Sequence, residues 1–384
     1  MMNEWKEVSI LDVAPITSKL VDPKDEKYSS MILIAPDHIQ SESGQIIAKA
    51  TAREQNAISG KYLVKKGDVI YSKIRPYLKK VCIAPEDCLC SADMYPFSCT
   101  EQINSKYLQT LLLSKQFTDY ANSCSARTGI PKINRDDIAL FFCKIPPIPE
   151  QEKIAETLSI WDSAIQKTEK LISEKEKMFN GISQKIFRKA SIKHKISEFL
   201  TIRNEKCIPD DSTPLYSLTI ENGVTPKSDR YDREALVKDS EEKEYKVVYP
   251  GDIVFNPANL RWGAIARSNE TKKVTVSPIY EVLQLDSSKI NSDYLTFLLT
   301  SKDKIRYYAT KTEGTLVERM AVKVDVFLNF QIEIEEDNEN QKTVSEVLTT
   351  LIREISLLKK QLEQYKLQKQ GLMQKLLTGE WRVR

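Results

Sequence analysis

From Glu150 to Lys189 a heptad seam runs in alternating steps of four and three residues. Its positions are Ile154, Leu158, Trp161, Ile165, Thr168, Ile172, Lys175, Phe179, Ile182 and Ile186. Such a seam predicts a long helix that lies against another helix. Adding 190 to each number returns the same register: Val344, Leu348, Leu351, Ile355, Leu358, Leu362, Tyr365, Lys369, Leu372 and Leu376. An interior glycine recurs with it, Gly181 in one copy and Gly371 in the other. Each costs about 1 kcal/mol against alanine, so each marks a tolerated kink or a close approach by the other helix or a partner. Lys175 and Lys369 interrupt the apolar seam, where they could snorkel outward or meet a partner.

The segment before the first helix has mixed periodicity. Trp5 to Val13 leads into a short helix or strand, and Lys65-Lys66-Gly67-Asp68 is a turn ahead of the buried strand Val69-Ile70-Tyr71. Ile103 to Tyr120 has helical spacing with Asn104 or Ser105 to cap it. Phe141 to Ile145 is a last strand, after which Pro146, Pro147 and Pro149 exclude helix before Glu150. The same order returns from about Lys193 to Glu335. Pro250-Gly251-Asp252 precedes Ile253-Val254-Phe255, and INSDYLTFLL at 290–299 answers INSKYLQTLL at 103–112. The expected fold class is therefore α+β, with two similar α/β domains at 1–149 and 191–337. They are separated by two long antiparallel coiled-coil helices, 150–190 and 338–384, in a pseudo-twofold internal repeat.

Composition narrows this picture. The 384 residues are 41% hydrophobic, enough for two buried cores. Net charge is +3, so any nucleic-acid surface must come from local clustering of basic residues. No long apolar run and no signal peptide stand out, and the expected location is the cytoplasm, with no membrane partner. Seven cysteines without a C-x-x-C spacing point to buried free thiols and no metal site. The two histidines, His38 and His194, leave little room for a triad.

Clustering is what the first copy shows. From Lys65 to Lys80 six basic residues stand against one acid, Asp68. Lys73, Arg75, Lys79 and Lys80 are interleaved with Tyr71 and Tyr77, a composition suited to phosphate contact with some reach to base edges. After the matching strand of the second copy come Asn256, Asn259, Arg261 and Trp262. Asn pairs bidentately with adenine and Arg with guanine, so these are major-groove donors. A repeated frame with divergent loops is what two readers of different short sequences require. A second loop follows the INS helix: Arg127, Thr128, Gly129 and Lys132 in one copy, Lys311, Thr312 and Gly314 with Arg319 and Lys323 beyond in the other. Catalytic motifs are not evident. The FNPAN stretch at 255–259 is similar to the box of adenine methyltransferases, but Ala258 replaces its second proline and no glycine-rich cofactor loop precedes it.

With these residues in view, the chain resembles the specificity subunits of Type I restriction-modification systems. The resemblance rests on GDVIYSKIRPYL at 67–78, TGIPKINRDDI at 128–138, IPPIPEQEKIAETLSIWDSAI at 145–165 and LQKQGLMQKLLTGEWRV at 367–383. It implies two target-recognition domains, each reading half of a bipartite duplex DNA site. It also implies two long helices that act as spacer and docking surface for two methyltransferase subunits, joined by restriction/translocase subunits. S-adenosylmethionine, ATP and Mg would be bound by those partners and not by this chain, which would itself be non-catalytic. The second copy departs from the pattern, with Ile332-Glu333-Ile334-Glu335-Glu336 in place of the proline-rich lead and Glu313-Gly314-Thr315 in place of T-G-x-P. The alternative is a coiled-coil scaffold that binds proteins and not DNA; it explains the helices but not the divergent basic loops. A stand-alone methyltransferase is a third class, disfavoured by the missing cofactor loop.

Overall fold

The computed structural model describes residues 4–17, 19–125, 130–190, 192–226, 243–312 and 321–383. The chain divides into two compact units. The first comprises Met1–Glu169 with Lys360–Arg384, and the second is Lys170–Lys359. Each unit thus owns one globular domain and part of both long helices.

In the first unit, strand Lys6–Ser9 pairs antiparallel with Phe142–Ile145. A three-stranded sheet carries Val69–Ser72 between Val81–Ile83 and Met94–Phe97. A four-stranded sheet runs Leu20–Val21, Lys61–Val64, Cys88–Cys90, Leu33–Ile34, its last pair parallel. The second unit repeats the plan. Ile192–Lys195 pairs with Gln331–Ile334, and Ile253–Phe255 lies inside a four-stranded sheet between Glu281–Leu285 and Ile265–Arg267. A five-stranded sheet again contains one parallel pair, Leu215–Thr219 with Val274–Val276.

The turn ahead of each central strand is the same object twice. Gly67 and Gly251 have φ of 91° and 86°, a region open to glycine at little cost. The following aspartate closes the turn, Asp68 Oδ2 accepting from Lys65 N at 2.9 Å and Asp252 Oδ2 from Tyr249 N at 2.9 Å. Asp252 is also held by Arg203, whose Nη2 donates to Oδ1 at 3.0 Å. Asp68 has no ion-pair partner among the described residues, and burial pushes its carboxyl above the usual range.

The predicted helix from Ile103 to Tyr120 is two helices, Ser105–Leu113 and Lys115–Ser125. Ser114 leaves the helical region with ψ of 154°, and its hydroxyl then caps the second helix by accepting from Phe117 N. Asn104 caps the first, accepting from Lys106 N and Tyr107 N. The first long helix begins at Ile148, before Glu150, and ends at Phe187. Pro149 fits inside its first turn, where a missing N–H costs nothing; Pro147 O accepts from Glu150 N and Gln151 N. The second long helix is Asn338–Leu377.

The seam is where the cores meet the helices. Ile154, Leu158, Ile172, Leu348, Leu351 and Ile355 are buried; Trp161, Ile165, Phe179, Leu358, Leu362 and Leu372 are half-buried. The first core joins Tyr71, Phe97, Tyr107 and Phe117 to Ile154, Leu158, Leu376 and Leu377. Each such side chain contributes about 1.5–3 kcal/mol on full burial. In that unit the helices are antiparallel, as Arg382 with Glu150, Lys369 with Asp162 and Lys366 with Glu169 show. The second core joins Phe255, Tyr294, Tyr308 and Phe327 to Phe187 and Val344. The seam lysines are ion-paired to the facing helix, Lys369 to Asp162 and Lys175 Nζ to Glu354 at 2.6 Å. A Cβ built on Gly181 or Gly371 meets nothing within 4 Å, so the facing helix is not what these glycines admit.

A buried glutamine ties each domain to its helix. Gln151, fully buried, accepts from Asn104 N at 2.8 Å and donates to the carbonyls of Gln102 (2.9 Å) and Pro146 (2.8 Å). Gln341, 190 residues on and 2% exposed, accepts from Asn291 N at 2.9 Å and donates to Glu335 O at 2.6 Å. No helix among the described residues is long and apolar enough to cross a membrane.

Candidate nucleic-acid interface

In the first unit the buried strand Val69–Ser72 delivers the chain to the surface at Lys73. A 3-10 turn, Pro76–Leu78, follows, bracketed by Arg75 (φ 49°) and Lys79 (φ 48°) in left-handed conformation. Residues without a glycine's freedom hold such angles only where surrounding bonds fix them. At Lys79 the carbonyl accepts from Glu42 N at 3.2 Å; at Arg75 the fixing bonds come from the second candidate loop. Arg75 N donates to Pro131 O at 2.7 Å, Ile133 N to Lys73 O at 2.9 Å, and Ile74 bridges Lys132. The two surfaces singled out in sequence are therefore one surface.

Within it the basic side chains have different roles. Arg75 and Lys132 are exposed and have no side-chain partner among the described residues. Tyr77 is 54% exposed. Lys79 is ion-paired with Glu42 at 3.3 Å, and Lys80 Nζ donates to Pro36 O at 2.6 Å. Lys73 Nζ lies 5.3 Å from the Tyr95 ring centroid. Arg135 shares that ring at 5.6 Å and reaches Tyr62 at 6.0 Å. Arg135 is not singled out by its place in the sequence, because only the fold brings 73, 95 and 135 together. Arg127, Thr128 and Arg319 lie outside the described residues.

In the second unit the chain leaves Ile253–Phe255 into Asn256, whose Oδ1 accepts from Ala258 N at 3.0 Å and shapes the loop. The carbonyl of Asn259 accepts from Trp262 N at 2.9 Å across a 3-10 turn, Leu260–Trp262, that ends at Gly263 (φ 96°). The Arg261 guanidinium lies 4.2 Å from the Trp262 ring centroid, and Trp262 is 57% exposed. Once more the second loop is tied in, Val322 N donating to Pro257 O at 3.0 Å. Lys323 is exposed and precedes the short helix Val324–Leu328. Ile133 and Val322 are both buried and occupy the same place in the two ties. Lys323 therefore corresponds to Asn134, and Val324 to Arg135. The frame is common while the presented side chains differ.

Chemically these surfaces offer cations and amide or indole groups on fixed backbone, with aromatic faces beside them. That set suits phosphate contact and base-edge readout. Among the described residues no group of three His, Cys, Asp or Glu side chains is placed to hold a metal ion.

Residues 2–176 match the family model described as Type I restriction modification DNA specificity domain. The chain is 38% identical over 188 residues to the Type I restriction enzyme EcoDI specificity subunit of Escherichia coli, covering 49% of this chain and 41% of that relative. It therefore spans less than half the length of that protein. The MjaVIII specificity subunit of Methanocaldococcus jannaschii is 26% identical over 295 residues, 69% of this chain and 68% of the relative. A solved chain from work on complex assembly and conformational transition of the type I R-M system has a TM-score of 0.63 at 15% identity. It covers 99% of this chain and 100% of the other, and shows a shared fold.

Proposed function

We propose that this chain, which belongs to the specificity subunits of Type I restriction-modification systems, recognises a bipartite sequence in duplex DNA, one half through each unit. The observation that carries this reading is the repeated tie between two loops. In each unit the loop after the central strand is tied to a second loop by main-chain hydrogen bonding, two bonds in the first and one in the second among the described residues, yet one copy carries Lys73, Arg75 and Tyr77 and the other Asn256, Arg261 and Trp262. A fixed frame can carry different cations, amides and aromatic rings in each copy, and exchange of the cations and amides changes the sequence read.

On this reading the chain is non-catalytic and assembles with two methyltransferase subunits and with restriction/translocase subunits in the cytoplasm. S-adenosylmethionine, ATP and Mg belong to those partners. The two long helices carry partner docking and set the gap between half-sites. The seam from Ile154 to Ile186 is about 48 Å long at about 1.5 Å per residue, or about 14 base pairs at about 3.4 Å each. The coiled-coil adaptor alternative has no observation in its favour.

The test is binding of the chain, with its methyltransferase partner, to duplex DNA across a salt series. Affinity that falls steeply with salt and is stronger for one sequence than for a scrambled control supports the reading. An assembled complex that binds neither duplex overturns it.

A further inference from the structure

We propose that Tyr77 and Trp262 each stack on a base that leaves the DNA helix, one in each half-site. This rests on the DNA-recognition reading and assigns a specific task to two of its residues. The two rings are the exposed aromatics of the paired recognition loops, 54% and 57% open to solvent. Neither sits on a floppy tip. Tyr77 is the middle residue of a turn whose flanks are held in left-handed conformation, with Leu78 N on Arg75 O and Lys79 N on Pro76 O, both at 2.9 Å. Pro76, which precedes it, is buried. Trp262 ends a turn anchored by the fully buried Leu260 and closed by Gly263. The backbone that carries each ring is thus fixed before any ligand arrives, which lowers the cost of binding.

Their surroundings select the ligand. The Tyr77 ring has no ring, cation or hydrogen-bond partner among the described residues, while Arg75 in the same loop is free to meet a phosphate. The Arg261 guanidinium covers one face of the indole and more than half of the residue stays open, so a planar group can complete the stack. Every base has such a face. Within a paired duplex that face is already stacked, so these rings gain a partner only where a step opens. Modification of a base demands that it leave the stack, and an aromatic wedge lowers the cost of the opened step.

The experiment pairs each ring with each base in a cycle. The full chain with its methyltransferase subunit is titrated against duplexes bearing its recognised sequence, intact or with one half-site base at a time made abasic. Tyr77→Ala should weaken binding to the intact duplex by about fivefold or more, the worth of a lost base stack. Tyr77→Phe should bind as the unaltered chain does. At one abasic position in one half-site, Tyr77→Ala and the unaltered chain should bind equally, because the stacked base is already gone. Trp262→Ala and Trp262→Phe should behave the same way in the other half-site. If Tyr77→Ala and Trp262→Ala weaken binding equally on every abasic duplex, or not at all, while the complex still discriminates its sequence, stacking is overturned and recognition stands. If the unaltered complex does not discriminate, the recognition reading falls and stacking with it.

Discussion

Replacing Gln151 by alanine is expected to loosen the joint between the first domain and its helix by about 3 kcal/mol. Gln151 is fully buried and makes three hydrogen bonds: from Asn104 N, and to the carbonyls of Gln102 and Pro146. Alanine strands all three backbone groups, each at about 1 kcal/mol once water relaxes into the space. Gln341 makes two such bonds, so Gln341→Ala should cost about 2 kcal/mol by the same count. A glutamate at 151 keeps the acceptor for Asn104 but turns an oxygen toward two carbonyls. Burial would raise its pKa above the unfolded value, so that variant should be least destabilised in acid and lose stability as pH rises through the carboxylate range. Urea unfolding followed by circular dichroism gives the global cost, and hydrogen exchange at residues 102–107 gives the local one. Losses below about 0.5 kcal/mol for both alanine variants, with exchange unchanged at Asn104 and Asn291, would refute the assignment of these glutamines as ties.

Other consequences follow from single sites. Asp252→Asn strands Arg203 and should cost about 3 kcal/mol or more, whereas Asp68→Asn, at a buried carboxylate with no ion-pair partner among the described residues, should be neutral or stabilising at neutral pH; urea unfolding of both checks this. The sign is set by the raised Asp68 pKa: its contribution is fully present below the unfolded pKa and lost as pH rises through the folded one, so the benefit of Asp68→Asn should vanish in acid. Arg135→Ala, removing a cation from the Tyr95 cluster, should lower the slope of log affinity against log salt by about 1 without changing the sequence preferred. Burial pushes the thiols of Cys82, Cys88 and Cys143 up to about 12, so native protein at pH 8 should yield only the half-buried Cys124 and Cys207, and slowly Cys99, to a disulfide reagent.

Much of this fold is legible in periodicity. The heptad seam, the glycine-aspartate turn and the Asn104 cap each depend on neighbours within a few residues, and the chain states them twice. Partners distant in sequence are less visible. Lys175 and Lys369 look like flaws in an apolar seam until the facing helix supplies Glu354 and Asp162. The tie at Gln341 is hidden because the prolines around Gln151 are absent from the second copy, although the hydrogen-bonding glutamine is kept. The break at Ser114 turns on one residue's ψ, which apolar spacing does not encode. At the candidate interface, sequence supplied both loops but not their union through Pro131 and Pro257, nor the engagement of Lys79 and Lys80 within the unit.

The most direct test of the central claim is a genome-wide map of methylated adenines in cells expressing the chain beside the methyltransferase subunit proposed as its partner. The map is repeated without the chain, then with residues 1–145 exchanged for those of a relative. A bipartite motif should appear only with the chain, and the exchange should rewrite one half of it while leaving the other half and the gap intact. A map that is the same with and without the chain, in cells where the complex assembles, would contradict the account.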